Sequence, residues 1–192
     1  MVTETEKFNN FNQPERSESM NIDPDKIFEL VLKQDPISFS PVGGDLENIG
    51  INKQEKIVLL PPKEDHEYFS KNKTVGFLKL KKGESINREA MEKWCNENGW
   101  KLATGFELAS LYKQLWKKFD DDVERRKKLP TSDPERFKTD YSELESLEHA
   151  VAINDKYKRN HIATTVPQWD WALTLYSPDE LNDSFKFFIV KL

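Results

Sequence analysis

Three histidines and one cysteine are the scarcest chemical tools in this 192-residue chain. His66, His149 and His161 stand in no HxxxH or HExxH spacing, so no two of them are set to grip a zinc ion from one helix face. Asp65-His66-Glu67 reads as a solvated charged loop, His149 as a helix residue off the apolar stripe, and His161 as the opening of a strand. A metal site built from these with distant carboxylates is the weaker reading. Cys95 is the only cysteine, which excludes an intramolecular disulfide and a CxxC metal pair. It falls on an apolar helix stripe near that helix's C-terminus, where the dipole disfavours a thiolate, so a buried small hydrophobe is expected. Gly43-Gly44-Asp45 matches neither GxxxxGK[ST] nor GxGxxG, so the standard phosphate-cradling loops are missing. Asp179, Glu180, Asn182 and Asp183 crowd oxygens together, and a solvated hairpin loop is favoured there over a cation site. No catalytic residue, metal ligand or cofactor is assigned from these patterns.

Aromatic residues are better supplied, with 12 Phe, 5 Trp and 5 Tyr. Trp169, Trp171 and Tyr176 lie beside the Pro167 turn, while Trp94 and Trp100 flank a helix junction. The hydrophobic fraction is only 36% against 33% charged, so the core must be concentrated in a few segments. Some of these rings are then expected at the surface, where Trp and Tyr favour recognition of a protein partner. Trp100, Trp169, Trp171 and Tyr176 are the candidate binding residues. Residues 117–128 (KKFDDDVERRKK) set acids before bases, the pattern of a solvated helix extension, with Glu124 and Lys128 in the favourable i, i+4 order. Arg125 and Arg126 in this run are further candidate contacts. Together with a basic cluster at 156–159 they carry the alternative of a nucleic-acid-associated factor. A net charge of −5 weighs against general nucleic-acid binding, whose affinity comes from a basic face.

The elements that must position these residues follow from spacing. Residues 1–22 are polar and lack periodicity, so a flexible tail is expected, with Phe8 and Phe11 as its one docking feature. They show no basic segment followed by an apolar run, and no stretch of the chain approaches the ~18 apolar residues of a membrane span. Cytoplasm, and no membrane, is the expectation. Asp23-Pro24 resembles a cap with proline at the first helical position, and Ile27, Leu30 and Val31 predict a helix over 24–33. Residues 56–60 (KIVLL) and 74–80 (TVGFLKL) read as strands, the first ended by Pro61-Pro62. Ser85 is expected to cap a helix over 86–98, with Ala90, Met91, Trp94 and Cys95 on one stripe and Asn98-Gly99 as its stop. After extended residues 100–103, Thr104-Gly105-Phe106-Glu107 is a capping box. The helix it opens carries Leu108, Leu111, Tyr112, Leu115 and Phe119 on one side. Pro130 and Pro134 break the chain, and Leu144, Leu147 and Val151 predict a further helix from about 142 to 153. Residues 161–166, 171–176 and 185–191 read as strands, the last apolar on both faces. The sum is an α+β chain: one domain over 23–192 with an antiparallel sheet, three to four helices and a charged, proline-containing insertion at about 117–140.

Strand, helix, extended segment, second helix and late strands, with the wording Ala90-x3-Trp94-Cys95-x3-Gly99-Trp100-x-Leu102-Ala103-Thr104-x2-Glu107-Leu108, resembles the two-helix region of C-type lectin-like domains. It is also similar to their bacterial relatives, the formylglycine-generating enzymes and retroelement-diversified binding proteins. The resemblance covers residues 74–115 and implies a C-type lectin-like fold. It does not extend to the family's chemistry. Cys95 stands at a helix cysteine of such domains, but the chain has no C-terminal cysteine to pair with it. No Glu-Pro-Asn or Trp-Asn-Asp signature is present, and formylglycine chemistry needs more than one thiol. The leading functional expectation is therefore a non-catalytic binding protein that recognises a protein partner. A small enzyme with dispersed Asp, Glu and His residues is the alternative beside the nucleic-acid factor.

Overall fold

The computed structural model describes residues 20–39, 56–61, 66–153, 161–165, 172–176 and 181–192. Strands in chain order are β1 (Met20–Ile22), β2 (Phe28–Leu30), β3 (Ile37–Phe39), β4 (Ile57–Leu59), β5 (Lys73–Leu80) and β6 (Ser85–Ile86). They continue as β7 (Trp100–Leu102), β8 (Ala150–Ile153), β9 (His161–Thr165), β10 (Ala172–Tyr176), β11 (Leu181–Asn182) and β12 (Lys186–Lys191). Helices α1 (His66–Ser70), α2 (Arg88–Glu97), α3 (Gly105–Lys127) and α4 (Ser142–Glu145) lie between them. This is an α+β single domain.

Phe187, Phe188, Ile189 and Val190 are all buried, and a strand apolar on both sides needs cover on each face. β12 has it. It pairs antiparallel with β5 along one edge, and on the other it meets β8 in its first half and β7 in its second. The described part of the main sheet runs β1-β5-β12-β8-β9-β10, with β2 also on β5 and β7 also on β12. Its described ladders are antiparallel except β8 with β12. Val75, Phe77, Phe188 and Val190 face one core with Leu108, Leu111 and Leu115 of α3. Leu78, Leu80, Phe187 and Ile189 face the other with Met91 and Cys95 of α2. The alternation within β5 and β12 thus divides the interior into two cores, one under each long helix.

β1 and β2 form a broken edge strand, since Ile22 sits opposite Leu78 and Phe28 opposite Val75. The residues between them loop out as a 3-10 turn at Pro24–Lys26, for which Asp23 caps Asp25. Here the expected helix over 24–33 is corrected. Ile27, Leu30 and Val31 fit a helical stripe, but Phe28 to Leu30 gain ladder bonds to β5, and Ile27 and Val31 are left exposed. The loop closes tightly over β5: a Cβ on Gly76 would lie 2.8 Å from Ile27 Cδ1, so glycine lets the two segments approach. The outer rim of β2 is closed by a side chain. Gln114 Nε2 donates to Glu29 O at 2.7 Å and its Oε1 accepts from Val31 N at 3.0 Å, standing in for the next strand's peptide group.

Other boundaries also move. Met20 and Ile22 belong to β1, so the polar tail gives way to structure earlier than residue 22. Asn87, and not Ser85, caps α2 by accepting from Ala90 N at 2.9 Å, while Ser85 and Ile86 pair with β11. His66 and Glu67 open α1 instead of lying in a loop. The helix expected to 153 stops at Glu145, and His149 takes a left-handed φ of 56° before β8 joins β12. The apolar spacing there misleads because its members part company: Leu144 and Leu147 face the α3 core while Val151 faces the α2 core.

Candidate functional site: an aromatic face on the long helix

α3 is 23 residues long and starts from a complete capping box. The Thr104 hydroxyl accepts from Glu107 N at 3.3 Å, and Glu107 Oε2 accepts from Thr104 N at 2.7 Å. Arg125, Arg126 and Lys127 in the last turn suit the negative end of the dipole. Between these ends the helix buries Leu108, Leu111 and Leu115 and turns a second stripe partly outward. Tyr112 and Trp116 lie one turn apart with parallel rings, their centroids 6.4 Å apart at 8°. Trp116 meets Phe119 at 5.6 Å, and Phe119 stacks on Tyr141 at 4.9 Å. Four aromatic rings thus run as one row from mid-helix to the segment before α4. Burial pushes the Tyr112 phenol above its ordinary pKa, so it stays protonated.

A cleft of about 920 Å³ opens beside this row, lined by Tyr112, Trp116, Val31, Pro36 and Ile37, with Lys113 and Asp120 at its rim. Val31 is 50% exposed there, and Tyr141 at the end of the row is 43% exposed. Lys117 and Lys118 are neutralised by Asp121 at 2.5 Å and Glu143 at 2.6 Å. The arrangement suits recognition of an apolar or aromatic group by stacking and burial. The Ser110 hydroxyl in the cleft lining donates to the Phe106 carbonyl at 2.7 Å. Trp116 was not among the candidate residues of the sequence reading. Its signal was the spacing Tyr112-x3-Trp116-x2-Phe119, which sets it beside the core stripe.

The sequence-derived candidates fall elsewhere. Trp100 is buried in the α2 core, because β7 pairs with β12 and its ring is needed as packing; it is not displayed. Trp169 and Trp171 lie outside the described residues, and Tyr176 is the last residue of β10. Arg125 pairs with Asp122 at 2.6 Å. Arg126 is mostly buried: its Nε lies 2.6 Å from Asp122 Oδ2, off the line of a hydrogen bond, and its Nη1 donates to Lys138 O at 2.6 Å. Lys127 pairs with Glu124 at 2.6 Å, in place of the expected Lys128. Asp183 accepts from Gly83 N at 2.8 Å and Asn182 from Ser184 N at 3.0 Å, so both oxygens serve turns. Among the described residues no group of three or more His, Cys, Asp or Glu is placed to hold a metal ion. No described helix is long and apolar enough to cross a membrane.

Cys95 is fully buried on α2. Desolvation, with a smaller push from Glu92, raises its thiol from an ordinary 9.0 to about 12. A thiol that ionises near 9.0 only when unfolded makes stability fall as pH climbs from there towards about 12. We expect native protein to resist a thiol reagent until it unfolds, and Cys95→Ala to cost about 1–2 kcal/mol through lost packing. Rapid labelling of folded protein would contradict that burial.

No family model, curated protein or solved structure matches the chain.

Proposed function

We propose that this is a non-catalytic binding protein that recognises a protein partner through the aromatic face of α3. The observation that carries the reading is the continuous row Tyr112, Trp116, Phe119 and Tyr141 beside an open apolar cleft. Partly exposed Trp and Tyr on a rigid helix give large contact area at little entropy cost, the composition favoured at interface hot spots. The basic end of α3 is engaged by its own acids, which favours the aromatic face over a phosphate-binding role. A single buried, protonated cysteine fits a cytoplasmic setting. The order β5, α2, β7, α3 and late strands supports a C-type lectin-like reading of residues 74–115.

The test compares binding of a partner isolated with the wild-type protein. Trp116→Ala and Tyr141→Ala should each weaken it, Trp116→Ala by about thirtyfold, the loss of a hot spot of about 2 kcal/mol. Lys93→Ala, on the exposed side of α2, should leave affinity unchanged. Folded Trp116→Ala and Tyr141→Ala variants that bind as wild type would refute the assignment.

A further inference from the structure

Lys79 of β5 and Lys186 of β12 sit directly opposite each other. Opposed residues on an antiparallel pair share a face, and like charges there repel. That face also carries Phe77 and Phe188, so two ammonium groups extend the edge of an apolar core. Asp23 neutralises one of them, its Oδ2 lying 2.7 Å from Lys79 Nζ. No described carboxylate is within ion-pair reach of Lys186, whose Nζ donates to the Ser146 carbonyl at 3.1 Å. Glu148 acts on Lys186 from beyond ion-pair reach and lies 3.7 Å from His149 Nε2. Lys26 ends the turn that Asp23 opens, its amide donating to the Asp23 carbonyl at 3.2 Å, and brings a third cation to that segment. Three cations thus stand with two carboxylates, Asp23 and Glu148, and among the described residues the half-buried Lys186 forms no ion pair.

We propose that Lys26, Lys79 and Lys186 form a site for a phosphate-class oxyanion, at the end of the sheet face that carries Phe77 and Phe188. A half-buried cation is costly unless paired, and an anion supplies the missing partner. A phosphate group suits the surplus better than a carboxylate, since its charge and its several oxygens reach more than one ammonium in charge-assisted hydrogen bonds. Burial first, and repulsion from Lys79 next, hold the Lys186 amine below its ordinary pKa, and a bound dianion reverses that shift.

The experiment titrates inorganic phosphate into the full chain at constant ionic strength, against chloride, following amide NMR shifts and the melting midpoint. Wild type should show a saturable shift at residues around Lys79 and Lys186 and a rise in midpoint. Lys186→Met, which keeps the apolar stem, should bind about tenfold more weakly, equivalent to about 1.4 kcal/mol. Lys26→Ala changes only a turn side chain and should also weaken binding, which keeps the test decisive if Lys186→Met does not fold. A parallel titration with glycerol phosphate separates a monoester ligand from the free ion, and a response to either supports the site. Equal responses in wild type and Lys26→Ala would mean an adventitious ion only. That result, or no saturable shift at all, overturns the proposal.

Discussion

Glu107→Ala should lower the unfolding free energy by about 3–5 kcal/mol, the cost of breaking a buried charged network by removing one member. Glu107 is fully buried, and its carboxylate is the hub of the junction between α1, β7 and α3. One oxygen accepts from the Thr104 amide at 2.7 Å and its hydroxyl at 3.2 Å. The other accepts from the Tyr68 phenol and lies 3.8 Å from Lys101 Nζ. Lys73 Nζ rests 4.0 Å from the centre of the Tyr68 ring, so a second cation closes the cluster. Alanine here strands an amide and leaves a void where a side chain bridged two elements. Glu107→Gln keeps the shape and an acceptor, and should cost less, about 1–3 kcal/mol. Chemical denaturation of the wild type and both variants checks the ordering. A Glu107→Ala variant within about 1 kcal/mol of wild type would mean that the cluster does not hold α1 to α3, since such networks are far costlier to break.

Leu111→Ala is the second large effect, expected at about 2–5 kcal/mol from lost transfer energy plus a residual cavity. Leu111 is fully buried under α3, in the core shared with Phe77 and Phe188. Thr104→Ala should cost less, about 0.5–2 kcal/mol, because it removes one hydroxyl, the acceptor for the Glu107 amide and a donor to Glu107 Oε2, and leaves no large cavity. The order of the two values carries the information. A Thr104 variant as damaging as Leu111→Ala would place more of the stability in the cap than in the packing beneath it.

The capping box, the two-sided character of β12 and the division of β5 into two faces were readable because each rests on local chemistry. A threonine with a glutamate three residues on, and unbroken alternation, need no knowledge of distant partners. The errors arose where tertiary pairing overrode a short periodic signal. Ile27, Leu30 and Val31 suit a helix until β5 offers a free edge, and the ladder then wins. Leu144, Leu147 and Val151 suit one stripe until the sheet separates them onto opposite faces. Tyr68 was missed because its value lies in a phenol aimed at Glu107, 39 positions away. Similarly, Trp100 looks like a displayed ring in sequence, yet the pairing of β7 with β12 draws it inside. Trp116 is the converse case: it stands beside the leucine stripe, and only the structure shows the row through Phe119 to Tyr141 on which its proposed role rests.

Site-specific photo-cross-linking tests the recognition face most directly. A benzophenone amino acid at Lys113, exposed on the rim of the α3 cleft, or at Lys93 on α2 is irradiated with the partner that the wild-type protein isolates. The α3 assignment predicts a cross-link from position 113, weakened by Trp116→Ala, and none from position 93. A partner that cross-links from position 93 and not from 113 would contradict it.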